Sequence, residues 1–188
     1  MKSRVITTVL CIALTMSVLF NIYLLRVMSY AGYEIRNLFA SDDLNEEQTE
    51  DTDVKPVPSF EDLIEMEAEV IRLTNEYRVS LGLNELTQDD ALRTVARIRA
   101  KEIVTNWAHE RSDGTHYYDI LDAINYPLLL VGENLAKGQD SAAEAMEMWK
   151  ESSGHNANLL LPEFNKIGVG VYYSPETGRL YYVQIFAQ

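Results

Sequence analysis

Hydrophobic positions after residue 58 follow two different periods, and the change between them organises the chain. Up to residue 154 apolar side chains return every three or four positions, the spacing that lines one face of a helix. Ser59-Phe60-Glu61-Asp62 has the capping pattern that starts a helix. Leu63, Val70, Ile71, Thr74, Tyr77 and Leu81 then share a face, and Gly82 stops it. Residues 87–90 repeat the start signal, and Leu92, Val95, Ala96, Ile103 and Trp107 mark a second helix. A short third helix is predicted over residues 118–124, stopped by Asn125-Tyr126-Pro127. Ser141-Ala142-Ala143-Glu144 caps a fourth, which turns Ala142, Ala145, Met146 and Trp149 inward and ends near Gly154. Beyond Pro162 the period becomes two. Ile167, Val169 and Val171 alternate with Gly168, Gly170 and Tyr172; Ser174-Pro175-Glu176-Thr177-Gly178 is a turn, and residues 180–187 are the partner strand. Helices closing on a β-hairpin define an α+β class, and there is no internal repeat.

The amino-terminal part has neither period. Residues 5–25 carry no charge, a run of 21 positions. At about 1.5 Å per residue, a helix of that length crosses a hydrocarbon core of roughly 30 Å. A cleaved signal peptide has a shorter apolar region and a small-x-small site. Ser29-Tyr30-Ala31 matches that site poorly and lies beyond Arg26, so the run reads as an uncleaved anchor. Lys2 and Arg4 favour a cytoplasmic amino terminus. The expectation is a single-pass protein of the cell membrane with its carboxyl-terminal domain extracytoplasmic. Residues 41–55 contain seven acids and one base, a density that cannot fold alone. Three segments follow: 1–40 as cytoplasmic stub, transmembrane anchor and juxtamembrane segment, 41–58 as an acidic disordered tether, and 59–188 as the folded domain.

Charge and cysteine content narrow the class. The net charge is -13, and no run of basic residues with interleaved aromatics is visible, which excludes nucleic acid as a partner. The single cysteine, Cys11, lies in the apolar run, so the folded domain has no disulfide. A domain of about 130 residues can bury enough core without one, which points to a bacterial envelope protein.

Candidate chemistry rests on two histidines and one glutamate, each expected on a loop beside an amphipathic helix. His109 follows the second helix and precedes a Ser-Asp-Gly turn. Glu133 stands between Gly132 and Asn134 among apolar neighbours, where a carboxylate needs a cation, a metal or strong hydrogen bonds. His155 follows Gly154, just past the predicted end of the fourth helix, where the helix dipole favours an imidazolium. His116 reads as solvated or capping. Ser152 and Ser153 lack the strand-turn-helix surroundings of a nucleophile, and there is no HExxH helix. Two histidines and a carboxylate can form a three-ligand site for zinc or another divalent metal with an open position.

Together these pieces resemble the CAP superfamily: cysteine-rich secretory proteins, antigen 5, pathogenesis-related proteins and their bacterial SCP-domain branch. The resemblance is carried by Asn75-Glu76-Tyr77-Arg78, Leu83-Asn84-Glu85-Leu86, His109, Gly132-Glu133-Asn134-Leu135-Ala136, Trp149 with Ser152-Ser153-Gly154-His155-Asn156, and Tyr181-Tyr182-Val183-Gln184-Ile185-Phe186. It implies a three-layer α-β-α sandwich, with further short strands hidden near residues 83–86 and 128–131. It also implies a cleft in which many members hold a divalent metal with two histidines and two glutamates. The first histidine carries over to His109 and the first glutamate to Glu133. The second glutamate falls on Ser152 and the second histidine on Tyr181, so the chain departs from the tetrad twice, and His155 is the residue that can fill part of the gap. Asn134, Trp149, Ser152, Asn156 and Gln184 carry over as structural motif positions.

Three functions are consistent with this reading. The favoured one is a non-enzymatic module, outside the membrane, that binds a peptide, lipid, glycan or protein ligand in a cleft of His109, Glu133, His155 and Tyr181, with or without a metal. The second is a metal-assisted peptidase, and the third a structural or signalling component of an envelope complex.

Overall fold

The computed structural model describes residues 56–188. The predicted anchor and the tether up to residue 55 lie outside the described residues. Among those described, no helix is long and apolar enough to cross a membrane.

The elements are α1 (Phe60–Ser80), β1 (Thr87–Gln88), α2 (Asp90–Glu102), α3 (Asp119–Ala123), β2 (Val131–Lys137), α4 (Ala142–Glu151), α5 (Ser153–Leu160), β3 (Lys166–Ser174) and β4 (Arg179–Ala187). The sheet order is β1-β3-β4-β2, parallel between β1 and β3 and antiparallel elsewhere. Helices cover both faces. One apolar cluster joins Val70 of α1, Trp149 of α4 and Leu159 of α5 to Ile167, Val169, Tyr182 and Phe186. The other joins Leu92, Val95 and Ile103 beside α3's Leu121 to Leu135, Val183 and Ile185. This is the three-layer arrangement that the resemblance implied.

Local signals explain most boundaries. Ser59 caps α1 in a reciprocal box: its hydroxyl accepts from the Asp62 amide, and the Asp62 carboxylate accepts from the Ser59 amide. Asp89 caps α2 by accepting from the amides of Ala91 and Leu92. Gly178 closes the hairpin at φ +65°. Two expectations for inward residues fail because they lie past their helices: Leu81 caps α1 and Trp107 follows α2, and both are about half exposed.

Three elements differ from the sequence expectation. The extra strands are β1, which starts just after residues 83–86, and β2, which starts at the last of residues 128–131. Glu133 therefore sits in a strand rather than a loop. The fourth helix ends at Glu151, and a new helix, α5, begins at Ser153. His155 is thus in the first turn of a helix, and the dipole there disfavours positive charge, opposite to expectation.

The α2 helix rests directly on β3. A Cβ at Gly168 would lie 2.1 Å from the Leu92 carbonyl carbon, and one at Gly170 would lie 2.3 Å from that of Ala96. No side chain fits between helix and strand. Glu67 of α1, only 3 % exposed, binds Arg93 and Arg97 of α2 and accepts from the Val171 amide at 3.4 Å. It ties the two helical layers together past the edge of β3.

Candidate functional site

The site is built around Glu133 on β2, whose side chain shares the sheet face of Leu135 beneath α2. Gly132 precedes it for a steric reason: a Cβ there would stand 2.9 Å from the Phe164 ring and 3.0 Å from Asn158 Oδ1. Asn158 of α5 then holds the strand, donating to the Glu133 carbonyl at 3.2 Å and to Asn134 Oδ1 at 2.9 Å.

The Glu133 side chain is wholly buried, and both oxygens are engaged. Arg99 Nε of α2, also fully buried, donates to Oε1 at 2.8 Å. His109 Nδ1 lies 2.7 Å from Oε2. Arg99 further donates to Glu102 at 2.7 Å and to the Ala108 carbonyl at 2.6 Å, and Glu102 in turn pairs with Arg111 at 2.6 Å. Burial works against the Arg99 charge, but Glu133 and then Glu102 outweigh it and raise its pKa. Burial likewise opposes ionisation of Glu102, yet Arg111 and Arg99 hold its pKa below the usual range. These linked charges fix the loop that carries His109.

With an ionised Glu133 accepting, Nδ1 of His109 carries the proton, and a neutral ring presents Nε2 as an acceptor. That side chain is 60 % exposed. His155 comes from the opposite helical layer. Its carbonyl accepts from Asn134 at 3.1 Å, and its Nδ1 is buried without a hydrogen-bond partner. Burial, then the nearby His109, lower its pKa. The structure therefore brings His109, Glu133 and His155 into one neighbourhood.

Tyr181 does not join them. It pairs across the sheet with Lys137 and Tyr172, four positions along β4 from Ile185, the partner of Glu133. At about 3.3 Å per residue that is roughly 13 Å. Its hydroxyl donates to Thr177 at 3.2 Å. The motif residues are structural: Trp149 Nε1 donates to the Leu135 carbonyl at 3.0 Å, and Asn134 donates to Gln184 at 3.1 Å, whose amide donates to Thr74 at 2.9 Å. Asn156 Oδ1 is buried without a partner, and Ser152 forms the joint between α4 and α5. His116 is exposed and stacks on Tyr118.

Sequence reasoning missed Arg99, Glu102, Arg111, Asn158 and Tyr117. The half-buried Tyr117 phenol has its pKa raised by burial and then by Glu133, which places it beside the carboxylate. Arg99 alone had a readable signal, a basic residue in the apolar stripe of Leu92, Val95, Ala96 and Ile103.

These residues do not fit a resident metal. Glu133, the only carboxylate of the proposed ligand set, is already shared between a guanidinium and an imidazole, and the Arg99 charge would repel a cation. Among the described residues no group of three or more His, Cys, Asp or Glu side chains is placed to hold a metal ion. The zinc set read from the sequence, His109, Glu133 and His155, therefore has its one carboxylate committed to other partners.

Residues 71–186 match the family model described as CAP, cysteine-rich secretory protein family. The chain belongs to this family, in its bacterial branch. It is 33% identical over 106 residues to the uncharacterized protein YkwD of Bacillus subtilis, covering 55% of this chain and 41% of that one. It is 30% identical over 122 residues to the uncharacterized membrane protein YlbC of the same organism, covering 64% of this chain and 34% of that one. The chain thus spans less than half the length of these curated relatives. A solved extracellular protein containing a SCP domain from Bacillus anthracis superposes with a TM-score of 0.61 at 26% identity, covering 71% of this chain and 45% of that one.

Proposed function

We propose that the chain is an extracytoplasmic binding module, tethered to a membrane by its amino-terminal apolar run, that holds a polar group of its ligand between His109 and His155. The observation that carries this reading is the commitment of both Glu133 oxygens. The site then offers a ligand an oriented imidazole in place of a free carboxylate. Beside it, His155 brings a buried nitrogen that lacks a partner. A hydroxyl or amide can donate to His109 Nε2, an arrangement suited to a peptide or glycan. The relative named as a membrane protein and the extracellular SCP-domain structure support the tether and the side of the membrane.

The 2.7 Å contact between Glu133 and His109 also favours a second reading, a metal-independent hydrolase with His109 as general base and Glu133 as its orienter. Among the described residues, no serine hydroxyl is hydrogen-bonded to His109, so water would be the nucleophile.

The chain has three histidines, which makes the test direct. With 15N-histidine label in the full chain, titration with disaccharide-peptide fragments of a bacterial cell wall should move the His109 and His155 ring signals and leave His116 in place. Shifts confined to His116, or none, would defeat the binding reading for this probe class. Fragment cleavage abolished by His109→Ala would replace it with hydrolysis.

A further inference from the structure

Three exposed cations make no ion pair among the described residues: Lys101, Lys137 and Arg179. They come from separate parts of the sequence, yet the fold gathers them with aromatic side chains at one end of the sheet. Lys137 and Tyr172 both pair with Tyr181, so all three side chains emerge on one face. Arg179 lies two positions before Tyr181 and shares that face. Its Cδ would stand 3.9 Å from a Cβ at Gly138, just after Lys137. Lys101 Nζ sits 5.6 Å from the centre of the Tyr172 ring, and Lys137 Nζ 4.2 Å from that of Trp107. Trp107 is 45% exposed.

From this arrangement we propose that the Trp107–Lys137–Tyr172–Lys101 face, with Arg179, binds an anionic glycan: a polymer of sugar rings bearing carboxylate or phosphate. Aromatic faces carry negative charge density and attract the polarised C–H face of a sugar ring. The ammonium and guanidinium groups take the anions. Cations without an ion pair are set apart here on a chain of net charge -13, whose excess of acid disfavours a polyanion over the rest of the folded domain and so favours contact at this end.

Two other anionic surfaces fit less well. A lipid bilayer calls for cations and protruding apolar side chains together, but exposed Leu129 and Leu130 precede the first residue of β2, whereas Lys137 is its last. Those ends are roughly 20 Å apart at about 3.3 Å per residue. Nucleic acid, with a charge every ~1.7 Å, calls for more than three cations.

The inference deepens the binding reading and rests on it. Trp107 lies two residues before His109, and Lys137 four after Glu133, so a chain laid along β2 reaches both places.

The test uses the full chain in nanodiscs of zwitterionic lipid, with polygalacturonate as probe and neutral dextran as control. Trp149 is fully buried, so a change in tryptophan emission on binding reports Trp107. Polygalacturonate should bind, weaken with added salt, and lose affinity by about tenfold or more, some 1.4 kcal/mol, in Lys101→Gln/Lys137→Gln/Arg179→Gln. In calorimetric titrations, which do not depend on that reporter, Trp107→Ala should weaken binding and Trp107→Phe restore part of it. Equal binding of dextran, or a triple variant within about twofold of wild type, a difference of only ~0.4 kcal/mol, overturns the proposal. Capture of the nanodisc-held chain by phosphatidylglycerol vesicles, lost in the triple variant, with no binding of polygalacturonate also overturns it, in favour of a lipid surface. His109→Ala and His155→Ala separate the two readings. Loss in these variants alone leaves the imidazole cleft and removes the cationic face, whereas loss in the triple variant alone does the reverse.

Discussion

Two arginines are completely buried in this domain, and they solve the same problem in opposite ways. Arg78, near the end of α1, has no carboxylate. Its guanidinium donates to the carbonyls of Asn84, Leu159, Leu161 and Phe164 at 2.8–3.3 Å. Burial with only neutral partners lowers its pKa. Arg99 instead holds Glu133 and Glu102, and its pKa is raised despite burial. The first cation fastens three stretches of backbone. The second pairs with a carboxylate whose other oxygen holds His109. An arginine buried among carbonyls marks architecture in this fold, and one buried against an acid marks the site.

The largest expected effect lies on the charged side of this comparison. Arg99→Met leaves Glu133 buried without its cation, and urea denaturation should show a loss of about 3–5 kcal/mol. Adding Glu133→Leu to that variant should recover much of the loss, because an apolar pair replaces an ion pair at little cost. Arg78→Met should destabilise by about 2–3 kcal/mol through stranded carbonyls. Glu133→Leu should add to that loss rather than relieve it, since the two arginines share no partner. A rescue of Arg78→Met by Glu133→Leu would erase the distinction drawn above. Glu102→Gln, at a partly exposed position, should cost about 1 kcal/mol while raising the mobility of the His109 loop in hydrogen exchange.

The smallest effect concerns pH. An imidazole whose native pKa is below its ordinary value near 6.5 binds protons more readily when unfolded. His155 is such a group, so its neutral burial destabilises the fold as pH falls below about 6.5 toward the native pKa, and has no effect above. His155→Gln should make thermal midpoints less sensitive to acid in that window and unchanged at pH ~8. Asp89 and Glu102, whose pKa values are lowered, give both proteins the same loss at still lower pH.

Legibility in the sequence followed the range of the interactions. The capping box at Ser59, the inward face of α4 and the β3–β4 hairpin were readable because their partners lie within a few residues. The β2 strand was not. It is buried on both faces, so no alternation shows, and its polar residues are satisfied from afar: Glu133 by Arg99, 34 positions away, and Asn134 by Gln184, 50 away. The α5 helix was hidden by the extended residue Ser152, which breaks what reads as one helix. His109, Glu133 and His155 were legible as a set from their residue types and places beside the helices, but which group satisfied Glu133 depended on Arg99. Tyr181 was placed by motif alignment, and strand register removed it.

The seat of α2 on Gly168 and Gly170 has a mechanical consequence. Ordinary helix-on-sheet contacts are cushioned by side chains that can change rotamer and let the layers slip. Here backbone meets backbone, so the joint has almost no compliance, and α2 moves with the hairpin as one solid piece. The contacts that run from His109 through Glu133 and Arg99 to α2 therefore end on the part of the fold least able to yield.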